Sequence, residues 1–290
     1  MEAFKIKKHY NYPSSKLTSF KQSGSIQKLY IIESIDDLEN LKTLKENFHI
    51  LGNGSNSLIH TNAEKTLFLK ISPSFMPFSI HETKITVGAG VLVNQLLKYS
   101  QENKVSGFEF MAGVPASIGG TVAMNFGCWN KEVSDMLESV EVFCLDKGKF
   151  ILSKKDCKLS YRSSIFQENP SWIILNATFN VDILSDSLPI KTKIQNYVKQ
   201  RVEKQPIRSN TFGSIFKNPK PYSAAKLIED AGLKGYQLKN IAISSRHANF
   251  MENINNGSAE NTIEMLDFIE KKVYNLFKIK LKPEVVIFND

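Results

Sequence analysis

Gly107-Phe-Glu-Phe-Met-Ala-Gly-Val-Pro-Ala-Ser-Ile-Gly-Gly-Thr-Val-Ala-Met-Asn-Phe-Gly127 gathers five of the fifteen glycines of this 290-residue chain into twenty-one positions. A flexible linker would carry Ser, Pro and Lys between its glycines, whereas these are separated by apolar side chains. A glycine inside an ordered, buried segment is entropically unfavourable unless backbone must approach something closely, either a ligand or another chain segment. The apolar spacing keeps the segment out of solvent, so it reads as the wall of a cofactor site.

The elements around it alternate without a βαβ rhythm. Upstream, Asp36 to Leu44 has helical apolar spacing, Phe48 to Leu51 and Ser57 to Ile59 read as strands on either side of a small-residue loop, and Leu67 to Ile71 and Lys84 to Val87 as further strands. Val91 to Glu102 has the spacing of a helix, with Leu92, Leu96 and Leu97 on one side. Downstream, Val140 to Leu145 and Phe150 to Leu152 flank Asp146-Lys-Gly148 and predict a hairpin, followed by a strand over Trp172 to Val181. A polar, proline-terminated stretch at Leu184 to Pro189 precedes a helix from Ile190 to Lys204, and the last domain boundary is placed there. Ser223 caps a helix over Ala224 to Ala231 that stops at Gly232. A helix from Glu260 to Phe277 carries Ile263, Leu266, Ile269, Val273 and Leu276 on one face, and Lys280 to Phe288 extends beyond it as an apolar strand. The class is mixed α+β.

Composition narrows what such a chain does. No apolar run approaches the roughly 20 residues that cross a bilayer, and Met1 to Ser15 lacks the apolar core of a signal peptide. A cytoplasmic protein is the expectation. Cys128, Cys144 and Cys157 are odd in number and widely spaced, so they read as small apolar residues rather than as disulfides or metal ligands, and no metal site is expected. The net charge of +8 is uneven: residues 1–189 hold 20 Lys+Arg against 19 Asp+Glu, and residues 190–290 hold 17 against 10. Something anionic is expected to meet the final third. The lysines are scattered among apolar residues, without a basic run or interleaved aromatics, so a small polyanion fits as well as a nucleic acid, and a solvated basic surface is the plain alternative.

Five constellations bear on chemistry. Gly52-Asn53-Gly54-Ser55-Asn56 follows a strand, where successive N–H groups can form an anion nest for a diphosphate; a bare turn explains the string about as well. Tyr161-Arg162-Ser163-Ser164 could project a guanidinium from a strand end toward a carboxylate, although a surface ion pair is favoured on the tetrapeptide alone. In Phe212-Gly-Ser-Ile-Phe-Lys-Asn-Pro219, Gly213 permits close approach, Ser214 offers a proton, and Lys217 and Asn218 offer donors; an ordinary strand and turn is the alternative. His247 and Asn249 alternate, which in a strand puts both on one face, and a satisfied structural histidine is the favoured reading. Glu284 heads the last apolar strand, either as an exposed end or as an acid or electrostatic partner in a cleft.

Taken together these blocks resemble the UDP-N-acetylenolpyruvoylglucosamine reductases (MurB family). The blocks are Leu51 to Asn56, Gly107 to Gly127, Tyr161 to Ser164, Gly213 to Pro219 with Ala225 to Gly235, and His247 to Phe250 leading to Pro283-Glu-Val285. The resemblance runs from about Leu17 to Phe288. It implies a two-subdomain FAD-binding module of the PCMH type (residues 1–72 and 73–189) followed by an α+β substrate-binding domain (190–290). It implies an NADPH-dependent flavoenzyme that completes UDP-N-acetylmuramate for peptidoglycan from the enolpyruvyl sugar, with a tightly bound FAD and NADPH as co-substrate. Arg162, Ser214 and Glu284 are then the catalytic residues, Ser214 supplying the proton.

The FAD contacts implied are Gly52 to Asn56 with Ser57, then Gly113, Val114, Pro115 and Ser117. Gly119, Gly120, Thr121, Asn125 and Gly127 complete them. Lys217, Asn218, His247 and Asn249 are the implied substrate contacts. A monomer without nucleic-acid or membrane partners is expected. The chain departs from the family at Gly-Asn-Gly, where Gly-Gly-Gly is common, at Ala116 in place of Gly, and at Thr18 to Gly24, which lacks a double glycine. Only 51 positions separate Arg162 from Ser214, so the tyrosine-bearing loop of longer members is expected to be missing. The competing classes are an oxidase that shares only the flavin blocks and a colourless basic binding protein.

Overall fold

The computed structural model describes residues 6–43 and 46–289. Leu44, expected as a helix end, and the first five residues of the amino-terminal stretch lie outside them. The chain forms two compact units. The first comprises Met1–Tyr10, Lys28–Asn53 and Leu67–Lys199; the second comprises Asn11–Gln27, Gly54–Thr66 and Gln200–Asp290.

Two sheets organise the first unit. In one, Ser25–Ile32, Leu67–Ile71 and Phe48–Ile50 run parallel, with Leu67 opposite both Lys28 and Phe48, and Lys7–Pro13 on the outer edge. Near-continuous apolar runs suit strands buried on both faces, and Leu67, Phe68 and Leu69 are buried. The other sheet is antiparallel, in the order Gly148–Ser153, Leu137–Cys144, Ile173–Asn180, Lys84–Gly88, Phe78–His81. Its hairpin pairs Cys144 with Gly148, which takes φ +70° in the turn, as Asp-Lys-Gly predicted. Ile85, Val140, Val142, Ala177 and Phe179 fill a core beneath it with Val93, Leu96, Phe108 and Ile118. A second cluster joins Ile32, Leu38, Leu67 and Leu69 to Phe143 and Leu175.

The helix read as starting at Val91 begins at Val93, because Leu92 is its N-cap and the Gln95 side chain bonds back to the Leu92 N–H at 2.9 Å. Leu188–Lys204 is a helix whose first turn includes Pro189, a position where the missing N–H has no helical partner to lose. Cys144 and Cys157 are buried and Cys128 is half-buried, all as free thiols. Burial pushes the Cys157 thiol up to about 11, which makes it inert.

The second unit is built on helices and short strands. Ser223 caps Ala224–Asp230 through the Lys226 N–H, and Ser258 caps Ala259–Phe277 through Asn261. Ile228, Ile241, Met265, Leu266, Ile269, Val273 and Leu281 form the core. Lys280 to Phe288 is not one strand: Lys282–Pro283 pairs with Phe216–Lys217, and Val286–Phe288 pairs in parallel with Ser57–Ile59. Glu284 and Val285 lie between the two pairings. Among the described residues no helix is long and apolar enough to cross a membrane.

Leu276 leaves the predicted apolar face and is 53% exposed, whereas Ile269 is fully buried. Denaturant titration therefore separates them: Ile269→Ala is expected to lose about 2–5 kcal/mol by opening a cavity, and Leu276→Ala to stay within roughly 0.5 kcal/mol of the parent.

Candidate active site

In the first unit the glycine-rich segment is stitched to its surroundings at each end. The buried Glu109 carboxylate accepts from Ser106 Oγ at 2.7 Å and from the Gly107 N–H at 2.8 Å. Further on, Val93 N–H donates to the Ala116 carbonyl, and Ile118 and Gly119 N–H groups donate to the carbonyls of Val91 and Ala89. A Cβ on Gly119 would stand 2.9 Å from the Ala89 Cβ, and one on Gly127 would stand 2.8 Å from the Glu132 Cβ. At these two positions the chain itself makes a close approach that a side chain would obstruct. Ala116 buries its methyl group in the apolar core, so this departure from the family pattern is accommodated without displacing the segment.

The expected first loop does meet this segment. A Cβ on Gly52 would lie 2.8 Å from Ser117 Oγ and 3.7 Å from Gly120 Cα, and Asn53 Nδ2 donates to the Pro115 carbonyl at 2.7 Å. Ser117 Oγ in turn accepts from the Gly120 N–H, opening the helix Ile118–Ala123. Gly113, at φ +80°, and Pro115 are exposed and Val114 is half-buried at the same end. Thr121 and Asn125 are turned inward instead. The Thr121 hydroxyl donates to Ile118, and the Asn125 amide donates to Ser160 O and accepts from Ser134 N–H.

Asn125 thereby holds the turn that carries Arg162. Ser160 and Ser163 exchange two main-chain hydrogen bonds of 3.0 Å, leaving Tyr161 and Arg162 at the tip, with Arg162 in the left-handed region at φ +54°. The arginine lies in a tight turn, not at the strand end expected from sequence. Its Nη2 donates to the Gly127 carbonyl at 2.6 Å, and its guanidinium lies 5.2 Å from the Tyr161 ring and 5.8 Å from the Phe126 ring. Ser164 Oγ, donating to the Ala123 carbonyl at 2.6 Å, ties the far side of the turn to the same segment.

The remaining predicted residues belong to the second unit, which the loop enters after Asn53. Gly54, at φ +66°, is the position where backbone geometry demands glycine: a Cβ would fall on the Leu17 carbonyl, and Ser19 N–H donates to the Gly54 carbonyl. Asn53 does not adopt a left-handed conformation, so the Gly-Asn-Gly variant needs no tolerance from asparagine there. Ser55 is half-buried, Ser57 is buried, and Asn56 Nδ2 donates to the Glu284 carbonyl at 2.9 Å.

Glu284 and Ser214 flank one pairing. The Glu284 N–H donates to the Ile215 carbonyl at 2.8 Å, and Ser214 forms an antiparallel bridge with Phe250. Gly213 sits at φ +85°, and a Cβ there would meet no protein atom within 4 Å, so its backbone conformation is what requires glycine. Lys217 follows in strand Phe216–Lys217, and Asn218 Oδ1 accepts from Ala224 N–H. Ser244 to Phe250 is a loop, so the one-face arrangement that a strand would give His247 and Asn249 does not apply. Ser244 N–H donates to Phe250 O and Phe250 N–H to His247 O, closing the turn between strands Ile241–Ile243 and Met251–Asn253. His247 Nδ1 accepts from Asn249 N–H at 3.2 Å, and its ring packs edge-on against Phe250 at 4.8 Å. The Asn249 amide, 4% exposed, bonds at both ends to Phe216. No sequence signal separates an asparagine that pairs with backbone from one that meets a ligand.

A parallel sheet and an antiparallel one share the first unit, and the Gly52 loop lies on the Ser117–Gly120 segment. The profile of an FAD binding domain matches residues 33–152, and that of the UDP-N-acetylenolpyruvoylglucosamine reductase C-terminal domain matches residues 205–288. The reductase of that name from Caldanaerobacter subterraneus subsp. tengcongensis is 35% identical over 98% of this chain and 94% of its own. That of Caldicellulosiruptor saccharolyticus is 36% identical over 94% and 89%. The crystal structure of the Thermus caldophilus enzyme superposes with a TM-score of 0.82 at 26% identity, over 98% of this chain and 99% of that one. The chain belongs to the UDP-N-acetylenolpyruvoylglucosamine reductase family and is an FAD oxidoreductase.

Burial holds the His247 imidazole below the usual histidine range. The unfolded chain therefore binds the proton first as pH falls. Stability is full above the ordinary histidine value near 6.5 and declines below it, toward the lowered folded value. His247→Gln is expected to flatten the pH dependence of the melting temperature between about pH 7 and 5; an unchanged slope would show that other groups set it.

Proposed function

We propose that this chain is an NADPH-dependent flavoenzyme that reduces UDP-N-acetylglucosamine enolpyruvate to UDP-N-acetylmuramate for peptidoglycan. Family membership supports the reaction class. The single observation that carries the residue assignment is the Glu284 N–H to Ile215 carbonyl bond, which puts Ser214 and Glu284 on neighbouring backbones. The residues present fit FAD: Gly52 lies close against Ser117 and Gly120, which brings the two loops together, and small residues line both loops as a diphosphate requires. On this reading residues 1–72 and 73–189 are the two FAD-binding subdomains and residues 190–290 the substrate domain. Gly52 to Ser57 hold the diphosphate, and Gly113, Val114, Pro115, Ser117, Gly119 and Gly120 contact the cofactor. Thr121, Asn125 and Gly127 support that surface from within.

When bound, FAD supplies a hydride to the terminal methylene carbon of the enolpyruvyl group, its two electrons coming from NADPH. The Ser214 hydroxyl gives its proton to the neighbouring carbon, completing addition of hydrogen across the double bond, and recovers a proton from solvent. A hydroxyl is a weak acid against water, but a carbon bearing developing negative charge accepts from it when held at hydrogen-bonding distance. Arg162 meets the substrate carboxylate, into which that charge delocalises, and Glu284 completes the field around the same group. The Gly127 anchor and the Tyr161 and Phe126 rings fix the Arg162 side chain in advance, so little reorganisation accompanies the charge shift. Lys217, Asn218 and His247 face the UDP-sugar, and the basic final third attracts both polyanionic substrates. The same reading takes the enzyme as a cytoplasmic monomer without nucleic-acid or membrane partners.

Anaerobic reduction by NADPH followed by addition of the enolpyruvyl sugar tests the proposal, with prompt return of the oxidised flavin band as the expected result. Ser214→Ala is expected to leave reduction intact and slow reoxidation by roughly 10²–10⁴-fold; equal loss in both halves would make Ser214 structural. Glu284→Gln should show the same asymmetry, and an unchanged reoxidation would remove Glu284 from the site.

A further inference from the structure

The segment Ser214–Lys217 is weakly held by its own sheet. It pairs with Lys282–Pro283 over two residues only, Phe216 opposite Pro283, and proline has no N–H to give to the ladder. On its other flank there is no strand among the described residues, but there is Asn249. Phe216 N–H donates to Asn249 Oδ1 at 3.0 Å, and Asn249 Nδ2 donates to the Phe216 carbonyl at 2.8 Å. The side-chain amide pairs with the main chain as a neighbouring strand's peptide group would. Ile215 N–H donates to the Asn249 carbonyl at 2.9 Å, and the antiparallel bridge of Ser214 with Phe250 continues the ladder. His247 Nδ1 in turn accepts from the Asn249 N–H, so the loop's own turn fixes the clamp.

We propose that Asn249 is a positioning residue that sets the reach of the Ser214 hydroxyl, rather than a contact to the sugar nucleotide. The inference rests on the proposed reduction with Ser214 as proton donor. Its chemistry is specific to asparagine: aspartate keeps the acceptor and loses the donor, alanine loses both, and glutamine adds a methylene that a 4% exposed site has no room to take up. Proton transfer depends steeply on donor placement, so loosening this flank acts on the proton step and leaves flavin reduction alone.

The test is stopped-flow kinetics on FAD-loaded Asn249→Ala and Asn249→Asp, each half-reaction followed anaerobically by the flavin band. For Asn249→Ala, NADPH reduction is expected within about twofold of the parent, with saturating reoxidation slowed on the order of 10²-fold and a larger solvent deuterium isotope effect. Asn249→Asp should fall between, and it stands in if the alanine variant does not fold. Adding either Asn249 substitution to Ser214→Ala should cost little more than Ser214→Ala alone, because the two act through one step. Additive losses, or equal losses in both half-reactions, would overturn the proposal. So would a raised KM for the sugar with saturating reoxidation unchanged, which would restore Asn249 as a substrate contact. Failure of the parent itself to be reoxidised by the enolpyruvyl sugar would instead reject the proposed function.

Discussion

Main chain packed directly on main chain, with no side chain between, is the constraint on which the rest of this molecule depends. Within the first unit a Cβ on Gly88 or Gly90 would collide with the carbonyls of Met76 and Ser72, and Gly119 lies on Ala89. Gly52 instead meets the Ser117 hydroxyl first, with the Gly120 backbone behind it. In the second unit Gly54 presses on Leu17. At Gly88, Gly90 and Gly54 a methyl group cannot be absorbed by a rotamer change, because the opposing atoms are backbone. Irregular loops are thereby held at fixed separations by the absence of side chains.

The residues assigned to the reaction sit on that framework through main-chain bonds of their own. Arg162 occupies a two-residue tip closed by Ser160 and Ser163, and Asn125 ties that tip to the glycine segment. Ser214 and Glu284 flank a pairing two residues long. Elements this short have little intrinsic stability. Buried asparagines supply what longer strands would give elsewhere, since one amide side chain reproduces both the donor and the acceptor of a peptide group. Precision in the site comes from hydrogen-bond geometry and not from element length.

Much of this was legible in the sequence. The Asp-Lys-Gly hairpin, the Ser223 and Gly232 boundaries and the strand Leu67–Ile71 follow from turn chemistry, capping and apolar runs, all of which are local. The five blocks, read together, identified the family. What failed was non-local. Alternation across His247 to Phe250 mimics a strand, but the loop closes on itself through Phe250 and His247. Lys280 to Phe288 looks continuous, yet its two halves pair with partners 66 and 229 positions away. Leu276 keeps the helical period but is exposed at the last turn, where Phe277 packs on the core instead. The glycines at 119 and 127 announced close contact correctly, and only tertiary structure could say that the contact was Ala89 and Glu132.

The parallel pairing of Val286–Phe288 with Ser57–Ile59 has a consequence for the order of synthesis. The first unit draws on nothing beyond Lys199, whereas the second draws on residues near 11–27 and 54–66 and then waits for the last hundred. As the chain emerges, the first unit can close while those early segments still lack their partners. The strand Ser57–Ile59, with Leu58 buried in the finished second unit, lacks its pairing partner until the final strand arrives. Translation of the carboxyl-terminal third is therefore the interval in which this enzyme is most open to aggregation, and the strand that follows Glu284 is the piece that ends it.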